Sequence, residues 1–169
     1  MRHLNPLARR KNCARPWLFL AMFALCLGLL SGCALPRIGF YDDPLSSDEH
    51  IKLGVSYERD GNFELAENEY NEALKDTPMA HFYLGNLYFE QELFDKAERE
   101  YRTALRQVDE KDTAPIYNNL AWLMHTQGKN SEEAVSLAHK AVQLATPEQR
   151  PIFENTLESI MAARKQGRG

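Results

Sequence analysis

The 169 residues contain only three cysteines, and two of them, Cys13 and Cys26, fall within the first 32 positions. If that stretch is removed, Cys33 alone remains. That excludes an internal disulfide, and no paired Cys/His spacing of a zinc site is present. Acidic residues are missing from residues 1–32, which carry Arg2, Arg9, Arg10, Lys11 and Arg15, so the leader stands at +5 and the rest at −9, against −4 overall. A domain that acidic repels phosphate backbones, and no local basic patch offsets it, which argues against nucleic acid as a partner. Residues 33–169 also lack a phosphate-cradling loop, a nucleotide-binding fingerprint and a catalytic triad motif. The five histidines do not cluster. The expectation is therefore a non-enzyme with no cofactor and no metal. With 44% apolar and 26% charged residues, the chain has room for one folded core.

No apolar run reaches the ~20 residues that a transmembrane helix needs. Residues 17–30 (WLFLAMFALCLGLL) form an uncharged run of 14 after a basic start, followed by the small Ser31 and Gly32. This is the layout of a secretory signal, and its shortness argues against the alternative of an uncleaved anchor. Leu30-Ser31-Gly32-Cys33 resembles the bacterial lipobox. The resemblance implies a diacylglycerol on the Cys33 sulfur, cleavage that leaves Cys33 first, and anchoring by acyl chains such as palmitate. Two or more chains anchor stably, at about 0.8 kcal/mol per buried CH₂. Ala34 is not the aspartate associated with inner-membrane retention, so the same resemblance implies the outer membrane, on its periplasmic side. Residues 33–46, with Pro36, Gly39, Asp42-Asp43 and Pro44, read as a flexible tether.

Beyond the tether the chain repeats itself. Leu53-Gly54-x-x-Tyr57 is followed by Ala66-x-x-x-Tyr70-x-x-Ala73, and Leu84-Gly85-x-x-Tyr88 by Ala97-x-x-x-Tyr101-x-x-Ala104. A degenerate third copy reads Leu120-Ala121-x-x-Met124, then Ala134-x-x-x-Ala138-x-x-Ala141. Gly54 to Gly85 spans 31 positions and Gly85 to Ala121 spans 36. These residues resemble the tetratricopeptide repeat, whose period of about 34 lies between those intervals. The resemblance implies an all-α, right-handed superhelical stack of helix-turn-helix hairpins, with repeats at about 47–77, 78–111 and 114–146.

Small residues at Gly54 and Ala66 are expected where two backbones approach, with Tyr57 and Tyr70 filling the space around that contact. Ser46 and Glu49 form a capping box, Asp60-Gly61-Asn62 turns the chain, and Gly128 closes the fifth helix. Thr77-Pro78 and Thr146-Pro147 each place a capping hydroxyl before a proline at the first helical position. The polar stretch 109–113 accounts for the longer second interval. Residues 151–165 read as a capping helix with Ile152, Phe153, Thr156, Leu157, Ile160 and Met161 along its apolar stripe and Arg164 off it. Residues 166–169 read as a tail. His50 and His81 occupy equivalent places one repeat apart, which favours packing over metal binding.

In proteins of the resembled family the first helix of each hairpin lines a groove for an extended peptide or a partner helix. Carried over, the inward positions are Ile51, Val55 and Glu58, then Phe82, Asn86 and Phe89, then Asn118, Trp122 and His125. Rings supply contact area and amides hydrogen-bond a peptide backbone, so Phe82, Asn86, Phe89, Asn118, Trp122 and His125 are the partner-binding candidates. Phe82 and Trp122 could equally bury against a neighbouring repeat. Chaperone-binding members clamp a C-terminal carboxylate with lysines and arginines. The corresponding places here hold Ile51, Val55, Phe82, Asn86, Asn118 and Trp122, which rules that clamp out.

The leading expectation is a membrane-anchored scaffold of the bacterial envelope that binds another envelope protein or peptide segment. The run Asp43-Pro44-Leu45 to His50, then Leu53-Gly54, Leu84-Gly85-Asn86-Leu87 and Asn118-Asn119-Leu120-Ala121-Trp122-Leu123, resembles repeat modules that some bacteria fuse to, or encode beside, a papain-like peptidase lipoprotein, which implies such a partner. The alternative is a pilotin-like assembly factor for an outer-membrane or pilus machine. An enzyme using Glu58 and Glu90 as paired carboxylates is the weakest reading, because repeat helices place acids there for solubility. Cys33→Ser is expected to release the protein from membranes on sedimentation; an unchanged pellet fraction would eliminate the lipid anchor.

Overall fold

The computed structural model describes residues 44–129 and 131–166; the leader, Leu30, Ser31, Gly32, Cys33 and most of the tether lie outside them, as do residues 167–169. Seven α-helices and no strand occur among the described residues. They are α1 (Ser47–Arg59), α2 (Phe63–Ala73), α3 (Ala80–Glu90), α4 (Phe94–Gln107), α5 (Ala114–Thr126), α6 (Ser131–Leu144) and α7 (Arg150–Gln166), with a 3-10 turn at Glu110–Asp112. Sequential helices pair as the hairpins α1/α2, α3/α4 and α5/α6; each hairpin packs on the next, and α7 packs on α6 and α5.

Local chemistry sets the ends. Ser46 caps α1, with its backbone N–H donating to Glu49 Oε2 at 2.8 Å and its Oγ accepting from Glu49 N at 3.4 Å. The Ser46 N–H and the Ser46 hydroxyl, which also donates to Glu49 Oε2 at 2.8 Å, hold the Glu49 carboxyl below its usual range. Gly61 and Gly128 take φ +77° and +65° where the chain reverses between paired helices. The equivalent turn of the second hairpin puts Glu92 at φ +58°, a conformation that costs an L-residue about 1–2 kcal/mol. Thr146 and Gln149 bond reciprocally, Gln149 N donating to Thr146 Oγ1 at 3.3 Å and Thr146 N to Gln149 Oε1 at 3.2 Å, but α7 begins only at Arg150, so Pro147 lies in a turn ahead of the helix and not at its first position.

Thr77-Pro78 behaves differently from its expectation. Thr77 Oγ1 accepts from Met79 N, but the α-helix begins only at Ala80, after the tight bonds Ala80 N to Thr77 O, His81 N to Pro78 O and Phe82 N to Met79 O. Pro78 thus sits in an entry turn, one residue before the Met79 cap.

The unequal repeat intervals also have another cause than the polar stretch 109–113. Both connections between hairpins are six residues long, 74–79 and 108–113. The extra residues are helical instead: α4 has 14 against 11 in α2, and α5 has 13 against 11 in α3.

The stack holds a main core from Ala66 and Tyr70 to Ile160 and a smaller cluster of Ala114, Ala141, Ala145 and Phe153. Its seam is made by Ala66, Tyr70 and Ala73, then Ala97, Tyr101 and Ala104, then Ala134, Ala138 and Ala141, none more than 1% exposed. A Cβ added at Gly85 would lie 2.5 Å from ring carbons of Tyr101, and one at Gly54 would collide with the ring of Tyr70. The first helix therefore lacks a side chain at that point to admit a buried phenol ring, not only to let backbones approach. The third hairpin supports this reading: where Ala138 replaces the tyrosine, Ala121 replaces the glycine. On α7 the buried stripe is Phe153 (6% exposed) and Ile160 (1%), with Leu157 partly buried between them. Ile152 (62%) and Met161 (38%) lie on the solvent side, contrary to expectation. Arg164 falls on the stripe, eleven residues after Phe153, and its Nε is buried without a partner.

Each of the first two hairpins is also clasped by a histidine and a glutamate, with His50 Nδ1 and His81 Nδ1 each 2.7 Å from Oε2 of Glu69 and Glu100. Neighbouring hairpins are joined by Tyr88, whose hydroxyl donates to Glu67 Oε1 at 2.6 Å, and by Arg102, which donates to Glu133 Oε1 at 2.9 Å.

Gly85→Ala is expected to cost about 1–3 kcal/mol by overpacking against Tyr101. Its cost should shrink in a Tyr101→Ala background, which recreates the Ala/Ala pair of the third hairpin. Urea unfolding of the four proteins of that cycle measures the coupling; equal costs in both backgrounds would remove the ring-admission account.

Candidate functional site

The first helices of the three hairpins, α1, α3 and α5, contribute to one cavity of about 310 Å³. Its lining is Glu58 from α1; Asn86, Phe89 and Glu90 from α3; Asn119 and Trp122 from α5; and Tyr101, reaching through from α4. A second cavity of about 360 Å³ adjoins it, sharing Glu58, Asn86 and Glu90 and adding Val55, Arg59 and Tyr83. The two form a continuous groove across the first helices.

Of the core tyrosines, Tyr101 lines it directly and Tyr70 reaches it through Glu58. Tyr70 passes over Gly54 and donates its hydroxyl to Glu58 Oε2 at 2.5 Å. Tyr101 passes over Gly85 and donates to Asn86 Oδ1 at 2.8 Å, an oxygen that also accepts from Asn119 Nδ2 at 2.8 Å. Burial pushes both phenols far above their ordinary range, so each stays protonated and acts as a donor. Asn86 is thereby oriented: its acceptor is occupied from two sides, and its Nδ2 protons are left for a ligand carbonyl.

Of the residues named from the sequence, Asn86, Phe89 and Trp122 line the cavity together. Trp122 is 40% exposed and lies against His125, ring centroids 5.2 Å apart, while Phe89 meets Phe94 edge-on at 5.7 Å. His125 supports Trp122 without lining the cavity. Phe82 packs against Tyr83 and Tyr101 at the edge of the core, with centroids 5.4 and 6.2 Å away. Asn118 is buried, because it shares a helical stripe with Ala114 and Ala121, both fully buried. Its Nδ2 donates to Asn119 Oδ1 at 3.2 Å, and its own Oδ1 is buried without a partner. Of the first set, Val55 and Glu58 reach the groove and Ile51 does not line it. Cys33, Leu30, Ser31 and Gly32 are outside the described residues.

Two residues of this lining, Asn119 and Tyr101, are not among the inward positions read from the sequence. Asn119 stands one position after Asn118, a turn of about 100° around the helix. Tyr101 stands in the sequence only as the tyrosine of the second Ala-x-x-x-Tyr-x-x-Ala motif, on a second helix and not on a groove-lining first helix. Glu58 and Glu90, set aside as solubilising acids, face the same space. Burial and the repulsion of Glu90 raise the Glu58 carboxyl above its ordinary value, while the Tyr70 hydrogen bond opposes them. Among the described residues no group of three or more His, Cys, Asp or Glu could hold a metal ion.

A tetratricopeptide repeat family model matches residues 51–115 and 85–148. No curated protein matches the chain. Among solved structures, Pseudomonas aeruginosa pilF superposes with a TM-score of 0.63 at 19% identity, over 89% of this chain and 68% of that one. The TPR2AB domain of yeast Sti1, solved as a complex with pHSP90, gives 0.59 at 16% over 72% and 50%. The N-terminal domain of stress-induced protein-1 from C. elegans gives 0.53 at 19% over 65% and 93%. At these identities the likeness is one of fold.

Because the Glu58 pKa is raised on folding, its contribution to stability is fully present below the ordinary value of 4.5 and is lost as pH climbs through the raised value. Glu58→Gln keeps an acceptor for Tyr70 and abolishes that loss. Its melting temperature relative to wild type is expected to rise between about pH 4 and about pH 8; thermal melts across that range giving a constant difference would contradict the electrostatic account.

Proposed function

We propose that this chain, a member of the tetratricopeptide repeat family, is a lipid-tethered interaction scaffold of the bacterial envelope whose groove holds an extended segment of a partner protein. The observation that carries this reading is the cavity spanned by all three hairpins. It presents two aromatic side chains, Phe89 and Trp122, beside an amide whose free donors are held in place. An extended peptide needs both: rings give contact area at small entropic cost, and a fixed donor takes a backbone carbonyl without reorganising. Stacks of these hairpins work as binding surfaces, and the family's proteins are generally not enzymes. The cavity lining contains no serine, cysteine or histidine to serve as a nucleophile or its base.

The envelope location rests on the lipobox resemblance at Leu30-Ser31-Gly32-Cys33 and on the outer-membrane sorting that Ala34 suggests. A tether of about a dozen residues would let the groove reorient near the membrane surface. A papain-like peptidase lipoprotein is one partner compatible with this placement.

Trp122 is the exposed aromatic of the groove and should behave as an anchor. Truncation of such a residue typically costs about 2 kcal/mol or more of binding. In affinity capture from detergent-solubilised envelopes of the native host, Trp122→Ala should recover at least about tenfold less partner than wild type. Equal recovery would reject the groove as the binding surface.

A further inference from the structure

The groove keeps two carboxylates together where composition alone does not require them. Glu58 and Glu90 line both cavities, so they flank the strip that any groove ligand must cross. Burial above all, and to a lesser degree the nearby Glu90, raise the Glu58 carboxyl above its ordinary value. Glu58 receives one neutral donor, the Tyr70 hydroxyl, and Glu90 makes no hydrogen bond or ion pair with a described residue. Other acids in the described chain do find cations: Glu98 and Glu133 hold Arg102, Glu72 holds Lys75, and Asp95 holds Lys129. No basic side chain lines the 310 Å³ cavity; Arg59 lines only the adjoining one. Beside the two carboxylates stand Phe89 and Trp122, whose ring faces attract a cation and whose apolar surface suits the methylenes of a long basic side chain.

We infer that the cavity between α1, α3 and α5 is a specificity pocket for a lysine or arginine side chain of the partner's extended segment, with Glu58 and Glu90 receiving the charged head and Phe89 and Trp122 its stem. This rests on the scaffold reading and sharpens it: the partner is identified by a basic residue within a stretch whose backbone carbonyl meets Asn86. Charge complementarity selects this occupant. An acidic segment would meet two like charges, and a purely apolar one would desolvate both carboxylates without a counter-ion.

The test is selection from a library of random twelve-residue displayed peptides on the full-length protein in detergent, with Trp122→Ala as the counter-selection. Peptides enriched on wild type should share one Lys or Arg. The Glu58→Gln/Glu90→Gln protein, folded as judged by an unchanged or higher melting temperature, should bind an enriched synthetic peptide at least about tenfold more weakly. Replacing the peptide's basic residue with glutamine should weaken wild-type binding by a similar factor and binding to the double variant by less than about twofold. Enriched peptides without a basic residue, held equally by wild type and the double variant, would overturn the cation pocket and leave the scaffold standing. A library with nothing enriched over Trp122→Ala would overturn both.

Discussion

A phenol ring seated on a bare backbone is the interaction on which the rest of this molecule depends. Tyr70 lies on Gly54 and Tyr101 on Gly85, and in each case a single added carbon would collide with the ring. The pairing sets the depth at which two helices cross within a hairpin, and hence the spacing of the first helices that form the groove. It also carries a polar group across the core. The rings are almost completely buried, yet their hydroxyls donate to Glu58 and Asn86, which line the groove. Stability and site construction are thus one contact, which is why the first two hairpins are both the most regular and the ones that supply oriented polar groups.

The third hairpin departs from this device and takes on a different task. Ala138 brings no ring and Ala121 needs no gap, so no phenol reaches the groove from below. Instead α5 contributes Trp122 to the groove and Asn119 to the Asn86 network. His50 and His81, each clasped to a glutamate of the paired helix, give way at the equivalent place to Tyr117, beneath the Lys140 ammonium at 5.3 Å. The result is a groove whose acids come from α1 and α3 and whose exposed tryptophan comes from α5. Such asymmetry gives a bound segment a direction and a register.

Much of the fold was readable because the repeat is written in small residues. Leu-Gly-x-x-Tyr and Ala-x-x-x-Tyr-x-x-Ala recur with a spacing that only paired helices satisfy, and turn glycines and capping hydroxyls punctuate them. Misreadings came where a local signal met a tertiary one. Thr77-Pro78 has the composition of a helix start, but the chain first makes a tight turn. Ile152 and Met161 fit a stripe drawn on an isolated helix, while packing on α6 selects Phe153, Leu157 and Ile160. The equal nineteen-residue separations of His50 from Glu69 and of His81 from Glu100 were visible in the letters and could have announced the clasps. The groove was harder, since neighbouring Asn118 and Asn119 look alike until α5 is docked and one turns inward to the core.

The amino-acid order by itself settled the helical hairpins, their number and their seam, because helix periodicity and the steric demand for small residues at crossings are properties of short stretches of chain. Which faces became groove and which became core was decided only by the stacked structure. Burial depends on neighbours thirty or more residues away: Asn86 is oriented by Tyr101 and Asn119, and Glu58 acquires its raised pKa from burial and from Glu90 across a cavity that no single repeat contains.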